Sequence, residues 1–573
     1  MDKENKIIIY QVLPRLFGNK TKKTVPNGTI EKNGCGKFND FTPKALEEIK
    51  NLGATHIWHT GILEHATQTD YSQYGIAKDH PAIVKGKAGS PYAVKDYYDV
   101  DPDLAEDIPN RMKEFQELIA RTHKTGLKVI IDFIPNHVSR QYKSDAKPKK
   151  VKDLGENDIK DVFFSRDNNF YYFPGEEFAG RFDLYGGTEE PYTEFPAKAT
   201  GNDYFHNNPS MYDWYETIKL NYGVDYHNYR HQDFFPIPDT WNKMRDILVF
   251  WTKKKVDGFR CDMAEMVPVE FWAWVIPQIK EVNPEILFIA ETYDKNQYNN
   301  FIVNGKFDYL YDKVGLYETL RSVISEDLPA AHITYSWQSL DGIENSMLNF
   351  LENHDEQRIA SGFFADDARK GIPGMIVCAT MSDGPVMVYS GQEFGEKAME
   401  SEGFSGQDGK TTIFDYWAVD SVQRWMNDGA FDGKKLTKKE KSIYAFYTKL
   451  LNVCREEKAI AKGLFFDLMY VNFNNPGFNT NKQYVFLRKL DNELLLIVAN
   501  FDEIDITLGI NIPQHAFDYL NIPHEENKEH TCVDLLSSKE YKKELTPEKQ
   551  FFVDVEKYSG VILKFTLGNT QKK

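Results

Sequence analysis

The chain has 573 residues, which exceeds the usual size of one globular domain, so two or three domains are expected. Its composition, 41% hydrophobic and 27% charged, is that of a folded protein and argues against a largely disordered chain. A formal net charge of −17 argues against nucleic acid and anionic membranes as partners, and it favours a neutral or cationic ligand.

The N-terminal segment and the cysteines bear on the cellular compartment. The apolar stretch at residues 7–13 is shorter than the hydrophobic part of a secretory signal, and no small-residue cleavage site follows it. No apolar run reaches the roughly 18 residues that a membrane span needs. The five cysteines are odd in number and lack metal-like spacing. We therefore expect free thiols in a cytoplasmic protein, or a secreted or periplasmic protein if a signal was removed.

From residue 7 to about residue 455, short β-branched runs alternate with longer helical patterns, as in a parallel sheet with crossover helices. Eight runs are candidate strands: residues 7–13, 56–59, 128–134, 258–261, 286–290, 307–310, 347–351 and 386–389. Helical patterns separate most of them: residues 43–52, 108–125, 242–255, 269–282 and 366–381. The sequence therefore predicts an α/β fold built on a (β/α)8 TIM barrel, with catalytic groups at the C-terminal ends of the strands.

Two further regions accompany the predicted barrel. An insertion rich in aromatic residues, Asn, Asp, Gly and Pro follows the third strand, and its aromatic content favours a folded lid over a disordered loop. After a helix predicted at residues 438–455, alternating strands at 465–473, 483–490, 493–500, 505–508 and 560–565 predict an all-β sandwich. The predicted domains are a barrel (residues 1–138 and 236–460), the insertion (139–235) and a C-terminal β-domain (461–573).

The fourth predicted strand carries an arginine and leads into an aspartate. Side chains alternate along the run from Gly258 to Asp262, so Arg260 and Asp262 share one face while Phe259 and Cys261 share the other. If Phe259 and Cys261 pack against the outer helices, the charged pair points into the barrel mouth. Taken alone, such a pair is more often a structural ion pair.

Two more strands end in carboxylic acids. Glu291 ends the fifth predicted strand and Asp355 follows the seventh. Taken singly, Glu291 could equally lie on an exposed loop. Because the C-terminal ends of barrel strands surround one mouth, however, Asp262, Glu291 and Asp355 are expected to converge there.

Four segments resemble the conserved regions of the α-amylase family, glycoside hydrolase family 13. They read D-F-I-P-N-H at residues 132–137, G-F-R-C-D at 258–262, A-E-T at 290–292 and N-H-D at 353–355, in the family's order. The insertion after the third strand corresponds to the family's domain B. The resemblance covers the barrel to about residue 454, and it implies the TIM barrel fold and a retaining glycoside hydrolase.

The resemblance implies a role for each of the three carboxylates. Asp262 is the nucleophile, Glu291 is the general acid/base, and Asp355 binds hydroxyls of the distorted sugar ring. Two such carboxyl groups lie about 5–5.5 Å apart in retaining enzymes. Glu291 is expected to be neutral when substrate binds, and Asp262 ionised, with Arg260 holding the charge on Asp262.

Other substrate contacts are implied less firmly. The resemblance places Tyr92 under the sugar ring at the cleavage site, with His137 and His354 donating to sugar hydroxyls. For all three residues a purely structural role remains open. Glu265 is a possible contact on the leaving-group side of the cleft. Arg358 either orients the third carboxylate or forms an ion pair at the rim.

No cofactor is expected for the chemistry, but a structural calcium ion is possible. Many family members bind Ca²⁺ between barrel and domain B, through an asparagine equivalent to Asn136 and the main-chain carbonyl of a histidine after the nucleophile. Met266 takes the place of that histidine here, which does not exclude a carbonyl ligand. The loop at residues 19–40 is a second candidate for a hard cation, or an ordinary barrel loop.

The sequence thus predicts retaining hydrolysis of α-1,4-glucosidic bonds in starch-like glucans or maltooligosaccharides. An α-glucan transferase is an open alternative, because transfer uses the same catalytic set. A catalytically inactive glucan-binding protein is disfavoured, because all three carboxylates are present. The sequence leaves open endo or exo action, α-1,4 or α-1,6 preference and oligomeric state.

Overall fold

The computed structural model describes residues 5–523 and 528–567. Eight parallel strands form the central sheet, in the order seventh, sixth, fifth, fourth, third, second, first, eighth. In chain order they are Ile8–Val12, His56–His59, Lys128–Phe133, Gly258–Cys261, Leu287–Ala290, Tyr309–Tyr311, Met347–Leu348 and Val386–Tyr389. A parallel bridge between Asn349 and Val386 joins the seventh strand's end to the eighth strand. The predicted eight-stranded barrel is confirmed.

Alternation of side chains divides the barrel strands between two apolar layers. Trp58, Ile130 and Ile289 pack together inside the barrel. Phe259 and Cys261 belong instead to the large outer core that the helices cover. The predicted orientation of the fourth strand is therefore correct, and the residue between Phe259 and Cys261 faces the barrel interior.

Helices cover the outside of the barrel. The longer ones are Pro43–Leu52, Arg111–Thr125, Asp239–Lys253, Val269–Val282, Glu318–Ser325, Ile372–Thr380 and Lys438–Glu456, and the shorter ones are Ile30–Asn33, Tyr298–Val303, His332–Gln338, Asp420–Met426 and Lys458–Lys462. Two helices start later than predicted, because the 3-10 turns Ile108–Asn110 and Ala368–Gly371 precede them.

The insertion after the third strand is folded around its own aromatic core. Tyr171, Phe173, Phe178 and Tyr192 are buried together there. Its short antiparallel pairs are His137–Ser139 with Thr217–Lys219, Tyr172–Phe173 with Ala197–Lys198, and Val224–Asp225 with His231–Gln232. An unpredicted pair, Leu63–His65 with Val94–Val100, lies in the connection after the second strand. The exact domain bounds stay a prediction.

As far as residue 567 and leaving out 524–527, the C-terminal region is all-β apart from two short helices, Met469–Asn472 and Gln514–Leu520. Its six-stranded antiparallel sheet has the order Leu464–Asp467, Gln483–Leu490, Glu493–Asn500, Ser559–Thr566, Glu529–Asp534 and Glu540–Glu544, and Ile506–Ile510 pairs with Phe551–Val555. The predicted strand at residues 465–473 is wrong beyond Asp467. There the Asp467 carboxylate accepts a hydrogen bond from the Met469 amide (2.6 Å), which turns the chain into the short helix.

Two findings concern the protein as a whole. All five cysteines are free thiols, and four of them are buried. Within residues 5–523 and 528–567, no helix has the length and apolar character needed to cross a membrane.

Candidate active site

Three carboxylic acids lie at the C-terminal ends of the fourth, fifth and seventh barrel strands. Asp262 and Glu291 extend their strands by one residue, since the Asp262 amide donates to the Phe133 carbonyl (2.9 Å) and the Glu291 amide to that of Cys261 (3.0 Å). Their side chains are 8% and 4% exposed, whereas that of Asp355 is 40% exposed. The strand geometry thus presents two recessed carboxyl groups and one open to the cleft.

Arg260 connects the two recessed carboxyl groups. Its Nη1 donates to Asp262 Oδ1 (2.7 Å), and its Nη2 lies 2.7 Å from Glu291 Oε1. The guanidinium is buried, and its Nε donates to the Tyr311 hydroxyl (3.2 Å). Because one planar guanidinium contacts both carboxylates, they lie on the same side of the barrel mouth. The positive charge is therefore shared, whereas the sequence had assigned it to Asp262 alone.

Burial and neighbouring charges act on the Asp262 carboxyl group. Burial, followed by the charge of Glu291, raises the pKa of Asp262 well above its usual range, and Arg260 opposes this shift. The Glu291 carboxylate accepts hydrogen bonds from the Met263 amide (2.8 Å) and the Tyr293 hydroxyl (2.7 Å). The expected ionised Asp262 and neutral Glu291 stay predictions.

Tyr92 and His354 form one aromatic unit beside the carboxylates. Their rings stack with centroids 5.2 Å apart, and the Tyr92 hydroxyl is hydrogen-bonded to His354 Nε2. The other ring nitrogen lies 2.7 Å from Gln11 Nε2, and His354 Nε2 lies 3.1 Å from Asp355 Oδ2. Burial lowers the pKa of His354 to about 3, so the imidazole is neutral. Both predicted contact residues therefore lie in the mouth, with Arg260 5.4 Å from the Tyr92 ring.

His137 and Asn136 lie where the third strand enters the insertion. The His137 ring is 5.2 Å from that of Trp214, and burial together with the charge of Lys219 lowers its pKa to about 3. Asn136 donates from its side-chain amide to the Gly201 carbonyl (2.8 Å). Its side-chain oxygen accepts a hydrogen bond from the ammonium of Lys219. The residue predicted to bind a metal is thus already paired with a lysine.

The oxygens that would hold calcium face that same ammonium. Lys219 Nζ is 3.2 Å from the Met266 carbonyl oxygen and 2.6 Å from Asp203 Oδ1. In the loop at residues 19–40, the side-chain amide of Asn19 donates to the Asn33 carbonyl (2.9 Å). The main-chain amide of Lys37 donates to the Asp40 carboxylate (2.8 Å). No group of three or more His, Cys, Asp or Glu in the described residues is arranged to hold a metal. With Lys219 in place, the junction does not fit a divalent cation.

Glu265 lies in the turn after the fourth barrel strand, and its carboxylate faces backbone. Its Oε2 accepts hydrogen bonds from the Tyr293 and Asp294 amides, both at 2.9 Å. The residue lines a cavity of about 410 Å³ together with Tyr226, Arg230 and other residues of the insertion and barrel. Its hydrogen bonds hold the segment after Glu291, and its predicted contact with substrate stays a prediction.

Arg358 takes neither of the two roles predicted for it. It is 1% exposed, so it is not at the rim, and it donates to the Glu352 carboxylate (2.8 Å) and to the Ser390 carbonyl (2.9 Å). Its guanidinium lies 4.0 Å from the centre of the Tyr389 ring. Glu352, which precedes the N-H-D motif, therefore partners Arg358 in a buried ion pair below the mouth.

Sequence reasoning missed two residues of the site. Asp132 is 2% exposed, its Oδ1 is 3.9 Å from Arg260 Nη1, and burial raises its pKa to about 6. It pairs in register with Arg260 on the neighbouring strand, and its alternation with Ile130 could have revealed its inward direction. Tyr293, whose hydroxyl donates to Glu291, follows the A-E-T motif in a segment without regular pattern.

Comparison with known proteins agrees with this arrangement. A family model described as "Alpha amylase, catalytic domain" matches residues 11–463. Alpha-amylase 3 of Dictyoglomus thermophilum is 23% identical over 553 residues, covering 91% of this chain and 90% of the relative. A cyclomaltodextrinase of Bacillus sp. is 20% identical over 522 residues, 89% of this chain and 75% of the relative. The crystal structure of a maltogenic alpha-amylase from Thermotoga neapolitana superposes with a TM-score of 0.63 at 18% identity, covering 99% and 100% of the two chains.

Proposed function

The chain belongs to the α-amylase family of retaining glycoside hydrolases, and on that premise we propose that it hydrolyses α-1,4-glucosidic bonds in starch-like glucans or maltooligosaccharides. The observation that carries the proposal is the contact of one buried guanidinium, that of Arg260, with both Asp262 and Glu291. A retaining mechanism needs two carboxyl groups that can act on one bond, and this contact supports such a pair.

In the proposed reaction Asp262 attacks the anomeric carbon while Glu291 protonates the departing glycosidic oxygen. The bond to the leaving sugar breaks, and a covalent glycosyl ester forms on Asp262. Glu291, now ionised, takes a proton from water as the water oxygen attacks the same carbon. The ester bond breaks, Asp262 is restored, and the product keeps the α configuration.

The remaining residues of the mouth are proposed to bind the sugar ring. Of the three carboxylates, Asp355 has the most exposed side chain. This exposure suits contact with ring hydroxyls and with the positive charge that develops at the transition state. The Tyr92 ring, backed by His354, offers an apolar face on which a sugar can stack. Neutral His354 adds no positive charge that would oppose the developing oxocarbenium ion.

Product stereochemistry and product length test the proposal. Proton NMR of the first product from maltoheptaose should show the α anomer, and initial β anomer would contradict the double displacement. Chromatography over time should show maltooligosaccharides shorter than the substrate. Intact maltoheptaose, with pullulan converted to maltotriose, would instead indicate α-1,6 preference.

A glucan transferase is the second candidate, because the similar structures include a gamma-CGTase, a glucanotransferase, as well as amylases. The catalytic pair is the same for hydrolysis and transfer, and the acceptor, water or sugar, decides between them. Products longer than maltoheptaose would indicate transfer. Binding of maltoheptaose with no change in chain length, neither shorter nor longer products, would refute both activities.

A further inference from the structure

We infer that the ammonium of Lys219 serves as a built-in structural cation where the insertion meets the barrel, so that this protein needs no calcium ion there. Three oxygens of different origin surround Lys219 Nζ. They are the side-chain oxygen of Asn136, the main-chain oxygen of Met266 (3.2 Å) and the carboxylate of Asp203 (2.6 Å). The lysine side chain is 2% exposed, so its charge is shielded from water and depends on these partners.

The three oxygens form the kind of set that a hard cation binds. Ca²⁺ takes carboxylate, amide and main-chain carbonyl oxygens at about 2.3–2.6 Å. An ammonium group has three donors and no acceptor, so it can satisfy three oxygens that converge on one point. A divalent ion among the same oxygens would lie against the lysine charge, and the two cations therefore exclude each other.

The position of Lys219 explains why a cation is needed at this junction. Asn136 follows the third barrel strand, and Met266 lies four residues beyond Asp262 on the segment after the fourth. Lys219 ends a strand of the insertion that pairs with His137–Ser139, and Asp203 also belongs to the insertion. One buried charge thus ties two loops of the barrel mouth to the insertion that covers it.

The experiment measures thermal unfolding of the full chain in the presence of EGTA and in the presence of excess CaCl₂. The wild-type Tm should agree in the two conditions to within about 1 °C, because no calcium site contributes to the folded state. A clear rise of Tm with CaCl₂, or a fall with EGTA, would overturn the inference. This readout is independent of which glucan the enzyme cleaves.

Variants of Lys219 provide the second arm. Lys219→Ala leaves the oxygens without their cation, so its Tm in EGTA should fall by several degrees, and CaCl₂ should restore part of the loss. Lys198→Ala is the matched control, since Lys198 forms a partly buried pair with Glu194 (3.3 Å) in the same insertion but contacts none of the three oxygens. It should lose less stability and show no response to calcium. An equal response of wild type and Lys219→Ala to CaCl₂, or no loss of Tm in Lys219→Ala, would overturn the inference.

Discussion

Two buried cations lie near the barrel mouth, and each is surrounded by oxygens from different segments. Arg260 spans Asp262 and Glu291 with separate nitrogens of its planar fork, whereas the ammonium of Lys219 collects oxygens that converge on one atom. At the junction, one carboxylate, Asp203, faces one cation and the charges balance. At the mouth, three carboxyl groups, those of Asp132, Asp262 and Glu291, face the one guanidinium of Arg260.

The imbalance at the mouth is the chemical difference between the two regions. Burial raises the pKa values of Asp132 and Asp262, and the negative charge of Glu291 adds to both shifts. A carboxyl group with a raised pKa is suited to acid/base chemistry, whereas an ion pair with balanced charges is suited to stabilising the structure. Removing a charge should therefore affect activity at the mouth and stability at the junction.

The sharpest test of this comparison is the same substitution, Asp to Asn, at one carboxylate partner of each cation. Asp262→Asn should reduce starch hydrolysis by several orders of magnitude, because it removes the proposed nucleophile. It should not lower Tm, because the site has more carboxyl groups than positive charges. Asp203→Asn, the matched control, should lower Tm while keeping most of the activity. Hydrolysis rates and thermal unfolding of both variants measure the contrast, and similar losses of activity in the two would contradict it.

Removing the guanidinium should have the next largest effect. Arg260→Met leaves buried carboxylates without their counter-charge and should reduce the free energy of unfolding by about 3–5 kcal/mol. Arg260→Lys keeps the charge but cannot contact both carboxylates with a fork, so an intermediate loss is expected. Urea unfolding near neutral pH measures both, and a wild-type midpoint for Arg260→Met would show that the pair does not depend on Arg260.

The pH dependence of activity should report the raised pKa of Asp262. Because its protonated form persists to a higher pH than in an ordinary aspartate, the nucleophile is lost as pH falls through that raised value. The acid limb of kcat/KM, which reports groups of the free enzyme, should therefore lie above the usual aspartate pKa of about 3.9. An acid limb at or below that value would mean that Arg260 fully compensates the burial.

The smallest effect is expected at Met266. Its contribution to the junction is a main-chain carbonyl, which does not depend on the side chain. Met266→Leu, a change that keeps volume nearly constant, should alter the free energy of unfolding by less than about 1.5 kcal/mol. A loss comparable to that of Lys219→Ala would show that side-chain packing, and not the carbonyl contact, stabilises the junction.

The predictable parts of the molecule are those governed by local pattern. β-Branched runs predicted all eight barrel strands, and alternation around Arg260 predicted which side chains face inward. Strands of polar sequence were missed, such as Glu529–Asp534 and Glu540–Glu544, because most of their residues are exposed or only partly buried and carry no apolar alternation.

The same distinction applies to the site. The three carboxylates follow apolar strands in recognisable motifs, so their convergence could be predicted. Lys219 could not be, because its partners Asn136 and Met266 are distant in sequence and no motif marks the lysine. Only the fold of the insertion brings its ammonium to the oxygens that resemblance had assigned to calcium.

Covalent trapping of the nucleophile tests the central claim most directly. A 5-fluoro-α-glucosyl fluoride should react by loss of fluoride and leave a slowly hydrolysed glycosyl ester, which peptide mass spectrometry can locate. The geometry around Arg260 predicts the label on Asp262. A label on Glu291 or Asp355, or complete turnover of the reagent by Asp262→Asn, would contradict the assignment of Asp262 as the nucleophile.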